Sequence, residues 1–374
     1  MQKVIFWAYD WVMTPVTSSA PFVMRRTPFY NLHVESGGTL CPWQGMEISS
    51  HFGSILDEHR SLNEGLGVFD LGYRSFFRLD GPGSTPLLDR AFAQSVGMLS
   101  VGGLCQRILL QPDGLVADLV TVCREADNTW LLVLQDSNAS WLPELLHGIS
   151  TDGEYYLEDL SKQYAWAGLA GTRVREFLSC ASPEAEALGC GQKTEVLVSG
   201  VAVHLWRLKN NYFQMACQPE LLEKIIRSWW IAESQPVLCG FASYENWRLE
   251  NGELRHGLEL TRNATPFELG LDSMVELDRD YFPARDALVG MQHKDLEHLL
   301  VHFTLDATRI PRSQSPVFCG EEKVGVVCAG GFSPSVKCPM GSAWIRTANV
   351  DFDELKVELR RQRYDLRIKK FPLK

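Results

Sequence analysis

An acidic residue inside an apolar strand is the first candidate for chemistry in this chain. The stretch QPDGLVADLV, residues 111–120, predicts a tight turn at its DG pair, because Gly tolerates the positive φ that hairpin turns need. The residues after the turn predict a strand that is apolar except for Asp118. Side chains alternate faces along a strand, so Asp118 is expected to share a face with Val116 and Val120. We expect either face to be at least half buried.

Two interpretations of Asp118 follow from this position. A buried carboxylate must find hydrogen-bond donors or have its pKa raised. Acids with a perturbed pKa concentrate in functional sites, which makes Asp118 a candidate for acid or base chemistry. The alternative is a structural Asp that accepts hydrogen bonds from loop amides at the end of a strand.

Tryptophans and histidines supply further candidates. Four tryptophans could line a flat pocket for an aromatic ligand or simply fill cores: Trp43, Trp166, Trp206 and Trp247. In HLLVH, His298 and His302 have a spacing that can bind a metal on a helix, but the glutamate of an H-E-x-x-H motif is absent and no cysteine partner lies nearby. We therefore expect no metal site there.

The elements that must position these residues mix helices and strands irregularly. The stretch SSHFGSILDEHRSLNEGLGVFDL predicts a helix with Ile55, Leu56 and Leu62 on one side, ended by Gly65. QPELLEKIIRSWW predicts a second, amphipathic helix. After about residue 290, short strands split by Gly and Pro predict a β-rich C-terminal domain. Together these patterns favour the α+β class.

Composition limits the function classes. With 374 residues, two or three domains are expected. The formal net charge of -10 argues against a protein that binds duplex nucleic acid. No apolar run reaches the length of a membrane span, so no membrane partner is expected. The ten cysteines form no C-x-x-C pair, which is typical of core residues in a reducing compartment, and we expect a cytoplasmic protein.

Six stretches, in order, carry a resemblance to a known family. They are RTPFYNLHVESGGTLCPWQGMEI, GLGVFDLG, DGLVADLVTV, RLENGELRHGLEL, TPFELGL and VGVVCAGGFSPSVKCPMG. Their order and spacing resemble the glycine-cleavage T-protein (aminomethyltransferase) family. The resemblance implies three subdomains in a ring around a central hole that binds tetrahydrofolate, with a C-terminal β-barrel. The expected domains are an N-terminal extension (1–25), a folate-binding domain of two subdomains (26–288) and a barrel domain (289–374).

The same resemblance implies a catalytic role for Asp118. The family hairpin carries two adjacent acids, and here the first position is Ala117 and the second is Asp118. In the family the second acid lies beside the folate nitrogens and the substrate amine. A carboxylate there can act as a general base or stabilise a cationic centre while a one-carbon unit moves to tetrahydrofolate.

Several cofactor contacts of the family are replaced in this chain. The GYTGE segment, whose glutamate contacts the pterin, corresponds to VAVHLWRLKNNYFQMAC, which contains no glutamate. The family's arginine for the folate tail falls at Tyr244, a family aromatic falls near Cys105, and its Ser-His pair becomes Gly72-Tyr73. Arg248 matches the family's RLE motif and could bind a carboxylate through two parallel hydrogen bonds, or form a structural ion pair on its helix. The candidate cofactor-binding residues are Arg248, Tyr244, Trp247, Cys105 and Tyr73.

Three hypotheses of function follow. The first is a folate-dependent transferase of methyl or aminomethyl units from a small-molecule donor, of a specialised demethylase-like kind and distinct from the housekeeping glycine-cleavage component. The second is the same scaffold used for a folate-independent reaction with Asp118 as acid or base. The third is a ligand-binding protein without catalysis.

Overall fold

The computed structural model describes residues 24–373, apart from 44, 152, 230–235, 262, 280–281, 293–295 and 349. Residues 1–23 of the predicted N-terminal extension lie outside the described residues. The described part begins with a small sheet of order β1-β3-β2. Its elements are β1 (Arg25–Arg26), α1 (Tyr30–Glu35), β2 (Thr39–Trp43) and β3 (Met46–His51).

Two larger sheets follow, and their strands come from one continuous stretch of the chain. Their elements are α2 (Ile55–Glu64), β4 (Gly67–Asp70), β5 (Ser75–Asp80), α3 (Ser84–Ala91), β6 (Leu104–Leu110), β7 (Val116–Ala126), β8 (Thr129–Leu134), α4 (Leu142–Ile149), β9 (Tyr156–Asp159), β10 (Ala165–Ala170), α5 (Val174–Ala181), α6 (Glu184–Ala187), β11 (Gln192–Val198), β12 (Val201–Lys209), β13 (Tyr212–Cys217), α7 (Pro219–Trp229), β14 (Val237–Cys239) and α8 (Phe241–Glu250). The five-stranded sheet has the order β6-β7-β8-β5-β9, and the six-stranded sheet has the order β11-β12-β13-β10-β4-β14.

The β6–β7 hairpin that carries Asp118 forms as predicted, but its faces differ from the prediction. Leu109 pairs with Asp118 while Leu110 pairs with Val116, so Ala117 is an extra residue in a β-bulge. The bulge breaks the alternation of side chains. Val116 therefore packs in a different core cluster from Val120, and the expectation that both share the face of Asp118 is wrong.

Helix α2 spans the predicted stretch and ends before Gly65, and its apolar side is only partly buried. Leu62 is buried, whereas Leu56 is 48% exposed. Glu58 is buried in its place because its carboxylate accepts hydrogen bonds from the backbone amides of Phe52 and Gly240, at 2.7 and 2.9 Å. Hydrophobic spacing alone does not reveal a buried acid of this kind.

The C-terminal part is a closed barrel of order β15-β18-β17-β16-β19-β20. A short 3₁₀ turn and helix α9 (Arg285–Gln292) precede the strands β15 (His298–Leu305), β16 (Pro316–Cys319), β17 (Glu322–Ser333), β18 (Cys338–Arg346), β19 (Leu355–Leu359) and β20 (Gln362–Ile368). The predicted α+β class with a C-terminal β-barrel is confirmed. His298 and His302 lie on a strand, where residues four apart are separated by roughly 13 Å.

Where the three sheets meet, the core is rich in aromatic residues. One cluster of buried residues joins the small sheet, both larger sheets and helix α8. Its rings come from Phe69, Tyr73, Phe76, Trp166, Trp206, Tyr212, Tyr244 and Trp247. Among the described residues, no helix is long and apolar enough to cross a membrane.

Candidate active site

Asp118 is fully buried, at 0% exposed, and its carboxylate accepts hydrogen bonds from three backbone amides. Oδ1 accepts a hydrogen bond from the amide of Leu119 at 2.7 Å, and Oδ2 accepts from the amides of Gln135 and Asp136 at 2.9 and 3.0 Å. Gln135 and Asp136 directly follow β8, which pairs with β7, so the sheet itself places these two donors. The structural interpretation predicted such amide contacts; the catalytic role stays a prediction.

The pKa of Asp118 lies well above its ordinary value. Burial raises it, while nearby His256 and the amide donors of Asp136 and Leu119 lower it, and the carboxylate of Asp136 raises it again. The result is a pKa of about 6. A carboxyl group with this pKa can exchange a proton near neutral pH, which is the property a general acid or base needs.

His256 and Asp136 lie near Asp118, and the sequence analysis missed both. The Nε2 atom of His256 lies 4.0 Å from Oδ2 of Asp136, and Trp141 donates its indole N–H to the same oxygen at 2.8 Å. The backbone amide of His256 also donates to Gln135 Oε1 at 3.4 Å. His256 belongs to the stretch RLENGELRHGLEL. Only the fold brings it near Asp118, since no local sequence pattern pairs positions so far apart.

A serine connects this group to a second cluster. Ser75 donates its hydroxyl to the carbonyl of Asp136 at 2.8 Å, and its amide donates to the same carbonyl at 3.3 Å. The preceding residue, Arg74, donates from Nη2 to the phenolic oxygen of Tyr244 at 3.1 Å. Tyr244 is also hydrogen-bonded to Tyr73. Tyr73 and Tyr244 are thus brought together as the prediction requires, beside Arg74, which the sequence analysis missed.

Aromatic rings cover this second cluster. Three ring pairs connect its elements: Phe69 with Tyr244 (centroids 4.6 Å apart), Trp43 with Tyr73 (4.7 Å) and Tyr212 with Trp247 (5.1 Å). Trp43 and Trp247 thus lie with the predicted tyrosines. Trp166 and Trp206 pack against each other, with centroids 5.0 Å apart, and are 2% and 0% exposed. These two tryptophans fill the core, as their alternative interpretation expected.

Comparison with known proteins places this arrangement in a family. Residues 29–279 match the family model described as GCVT N-terminal domain, and residues 299–373 match the glycine cleavage T-protein C-terminal barrel domain. The chain belongs to the glycine-cleavage T-protein family. The barrel and the Asp118 hairpin are therefore parts of a T-protein scaffold.

Curated relatives and a solved structure agree with this T-protein membership. The chain is 27% identical to the aminomethyltransferases of Bacillus mycoides (strain KBAB4) and Bacillus cereus (strain AH820), over 91% of this chain and 95% of each relative. The crystal structure of the glycine cleavage system aminomethyltransferase T from Bartonella henselae superposes with a TM-score of 0.83 at 22% identity. That match covers 94% of this chain and 98% of the Bartonella chain, and it shows a shared fold.

In this T-protein scaffold, Arg248 has the surroundings of a structural ion pair. It is 1% exposed, and its guanidinium donates to Glu245 at 2.9 and 3.0 Å and to Glu259 at 3.1 and 3.2 Å. It also donates to the carbonyl of Glu253 at 2.8 Å. These contacts occupy both edges of the guanidinium, as the structural interpretation expected. Its role in cofactor binding stays a prediction.

Cys105, a predicted site residue, does not lie close to Asp118 in the T-protein fold. It lies on β6 opposite Val122, four residues before Leu109, which pairs with Asp118. That spacing corresponds to roughly 13 Å along the strand. Its role in cofactor binding also stays a prediction.

The residues present fit tetrahydrofolate in chemistry, although the cavity beside Tyr73 and Tyr244 is small. Aromatic faces suit a flat ring, Asp118 supplies a carboxylate, and Nε of Arg74 is buried without a hydrogen-bond partner. The cavity bounded by Asp70, Tyr73 and Tyr244 has a volume of about 10 Å³, room for about one water molecule. A pterin ring could enter here only after the aromatic side chains move apart.

Proposed function

We propose that this chain is a tetrahydrofolate-dependent one-carbon transferase in which Asp118 is the catalytic carboxylate. The observation that carries the proposal is the buried Asp118, with a pKa of about 6, inside a scaffold of the T-protein family. Its hydrogen-bonded connection through Asp136 and Ser75 to the aromatic cluster supports a ligand site between the two groups. The relatives named aminomethyltransferase support the same class of reaction.

In this proposal each residue has a distinct role. Tetrahydrofolate supplies a nitrogen that accepts the one-carbon unit, and Trp43, Tyr73 and Tyr244 would hold its ring. The three amide donors fix the carboxylate of Asp118, which takes a proton from the ligand or balances a positive charge on it. The neighbouring His256 and Asp136 tune the proton affinity of that carboxylate.

We propose further that the donor is a small molecule and that the enzyme is demethylase-like. Two replacements support a specialised role. Strands β12 and β13, which stand where the family has its pterin-binding glutamate, contain no glutamate, and Tyr244 stands where the family has its arginine for the folate tail. A changed set of contacts is expected of a scaffold that handles a different donor.

The test is calorimetric titration of the full chain with tetrahydrofolate and 5-methyltetrahydrofolate, followed by assays with N-, O- and S-methyl donors. Saturable binding in the micromolar range, about -8 kcal/mol, is expected. Asp118→Asn should lower turnover by a factor of about 100 or more, while Asp113→Asn, which alters an exposed acid of the same hairpin, should leave it unchanged. Near-normal turnover of Asp118→Asn with an intact fold would refute the catalytic assignment.

A second candidate is the T-protein scaffold used for a reaction without folate. The cavity of about 10 Å³ favours it, since the closed rings leave no room for a pterin. In that case tetrahydrofolate would not bind even at high concentration, and Asp118 would remain the place to look for acid–base chemistry.

A further inference from the structure

Arg74 is a cation near the proposed site that lacks an acidic partner. Its side chain donates one hydrogen bond, to the phenolic oxygen of Tyr244, and its buried Nε donates none. No carboxylate of the described residues lies within the 4.0 Å of an ion pair with it; the described acids nearby are committed elsewhere. Arg74 as a whole residue is partly exposed, while its Nε is buried.

The acidic residues near Arg74 form ion pairs with other basic residues. Glu253 is close enough to interact electrostatically with Arg74, but its carboxylate accepts a hydrogen bond from Lys209 at 2.7 Å. Glu245, on helix α8, pairs with Arg248 at 2.9 Å and with Arg255 at 2.9 Å. A buried or half-buried guanidinium is costly unless an anion pairs with it. The fold therefore leaves one positive charge among neutral phenols.

The position of Arg74 relates it to Asp118. Arg74 directly precedes Ser75, which donates a hydrogen bond to the carbonyl of Asp136. The backbone amide of Asp136 donates a hydrogen bond to the carboxylate of Asp118. One peptide bond and two hydrogen bonds thus connect Arg74 to the proposed catalytic acid. A ligand bound by Arg74 would lie beside Tyr244, which accepts a hydrogen bond from Arg74.

We propose that Arg74 binds a carboxylate group of the ligand. A planar guanidinium offers two parallel N–H donors that match a carboxylate in shape and charge. The identity of the ligand rests on the proposed function: the carboxylate belongs either to the one-carbon donor or to the glutamate tail of folate. Both sources share the same chemistry, and matched ligand pairs separate them.

Binding to two ligand pairs tests the assignment. One pair is tetrahydrofolate and its diamide, in which both glutamate carboxylates are amides; the other is N-methylglycine and dimethylamine, which lacks the carboxylate. Wild type should bind the carboxylate member of one pair at least tenfold more tightly, and Arg74→Gln should abolish that preference. Arg74→Lys should retain part of it. The pair in which the preference disappears identifies the source of the carboxylate.

A matched control and a second measurement keep the test independent of folding and of folate. Arg78→Gln changes an arginine of the adjoining strand that already pairs with Asp80 at 2.8 Å, and it should leave the preference intact. In wild type, acetate but not acetamide should slow the reaction of Arg74 with phenylglyoxal, measured by peptide mass spectrometry.

The outcomes separate the role of Arg74 from the proposed dependence on folate. If Arg74→Gln keeps the wild-type preference, or if wild type has no preference in either pair, the assignment of Arg74 is wrong even when tetrahydrofolate binds. If wild type binds no tetrahydrofolate but prefers N-methylglycine to dimethylamine through Arg74, the assignment stands and the proposed folate dependence is wrong.

Discussion

At Asp118, burial and hydrogen bonding act on the pKa in opposite directions. Three amide donors favour the ionised carboxylate, whereas complete burial favours the neutral acid. Burial has the larger effect, because the pKa rises from 3.8 to about 6. The sequence predicted an unusual acid at this position from its apolar neighbours. It did not predict His256 or Asp136 as partners, because those contacts depend on how distant segments pack.

The raised pKa predicts a pH-dependent stability. The folded state keeps the proton of Asp118 to higher pH than the unfolded state, so this residue costs stability as pH rises from about 4 through about 6. Asp118→Asn cannot ionise. The free energy of unfolding of this variant, relative to wild type, should therefore improve by up to about 3 kcal/mol between pH 4 and pH 7.5.

Urea denaturation of both proteins at the two pH values measures this difference. Asp113→Asn is the control, since Asp113 is exposed in the turn of the same hairpin. A stability difference between Asp118→Asn and wild type that stays constant across this range would contradict the raised pKa.

At the scale of elements, the hairpin illustrates what local sequence can predict. Its turn follows from the DG pair, and Gly114 has a φ of 85°, in the region that favours glycine. The bulge at Ala117 could not be predicted in the same way, because a bulge is defined by the register with the partner strand. Similarly, the limits of α2 follow from its sequence, while the burial of Glu58 depends on amides of other segments.

Two glycine substitutions should have opposite effects on stability. Gly114→Ala should destabilise the fold by about 1–2 kcal/mol, since a Cβ is strained at this φ and would lie 3.2 Å from the Cβ of Ala287. Gly148→Ala should stabilise it by about 0.5 kcal/mol, because Gly148 is an exposed position of α4 with no atom near its added Cβ. Thermal and urea unfolding measure both changes. Equal effects of the two substitutions would contradict the strained turn.

At the scale of the whole molecule, a buried ionic network joins the barrel to the rest of the chain. Glu259 is 0% exposed, pairs with Arg248 of helix α8 at 3.1 Å and accepts a hydrogen bond from Ser342 of strand β18 at 2.7 Å. The Gly and Pro spacing after residue 290 predicted a β-rich domain. The contacts that dock it were not predictable, because the partners come from three separate segments and no periodic pattern marks them.

The Arg248–Glu259 pair should be strongly coupled. Arg248→Met leaves a buried carboxylate without its cation and should cost about 3–5 kcal/mol, and Glu259→Met should also destabilise. The double variant should cost less than the sum by about 2 kcal/mol or more. The exposed pair Arg363–Glu321 is the control and should show a coupling under about 1 kcal/mol.

Urea unfolding of the four proteins in the cycle measures this coupling. Additive effects would contradict a structural pair. The double variant also tests the ligand role of Arg248, because it lacks the guanidinium without leaving a buried charge. Its affinity for tetrahydrofolate should stay within about threefold of wild type if Arg248 only supports the fold.

If tetrahydrofolate binds in the cavity of about 10 Å³, the aromatic cluster also sets how fast it can bind. The rings around the cavity must first separate, so only a conformation with the rings apart is competent to bind. The apparent dissociation constant then equals the intrinsic one divided by the open fraction. In stopped-flow experiments the observed binding rate should level off as ligand concentration rises, and the plateau is the rate at which the aromatic side chains part.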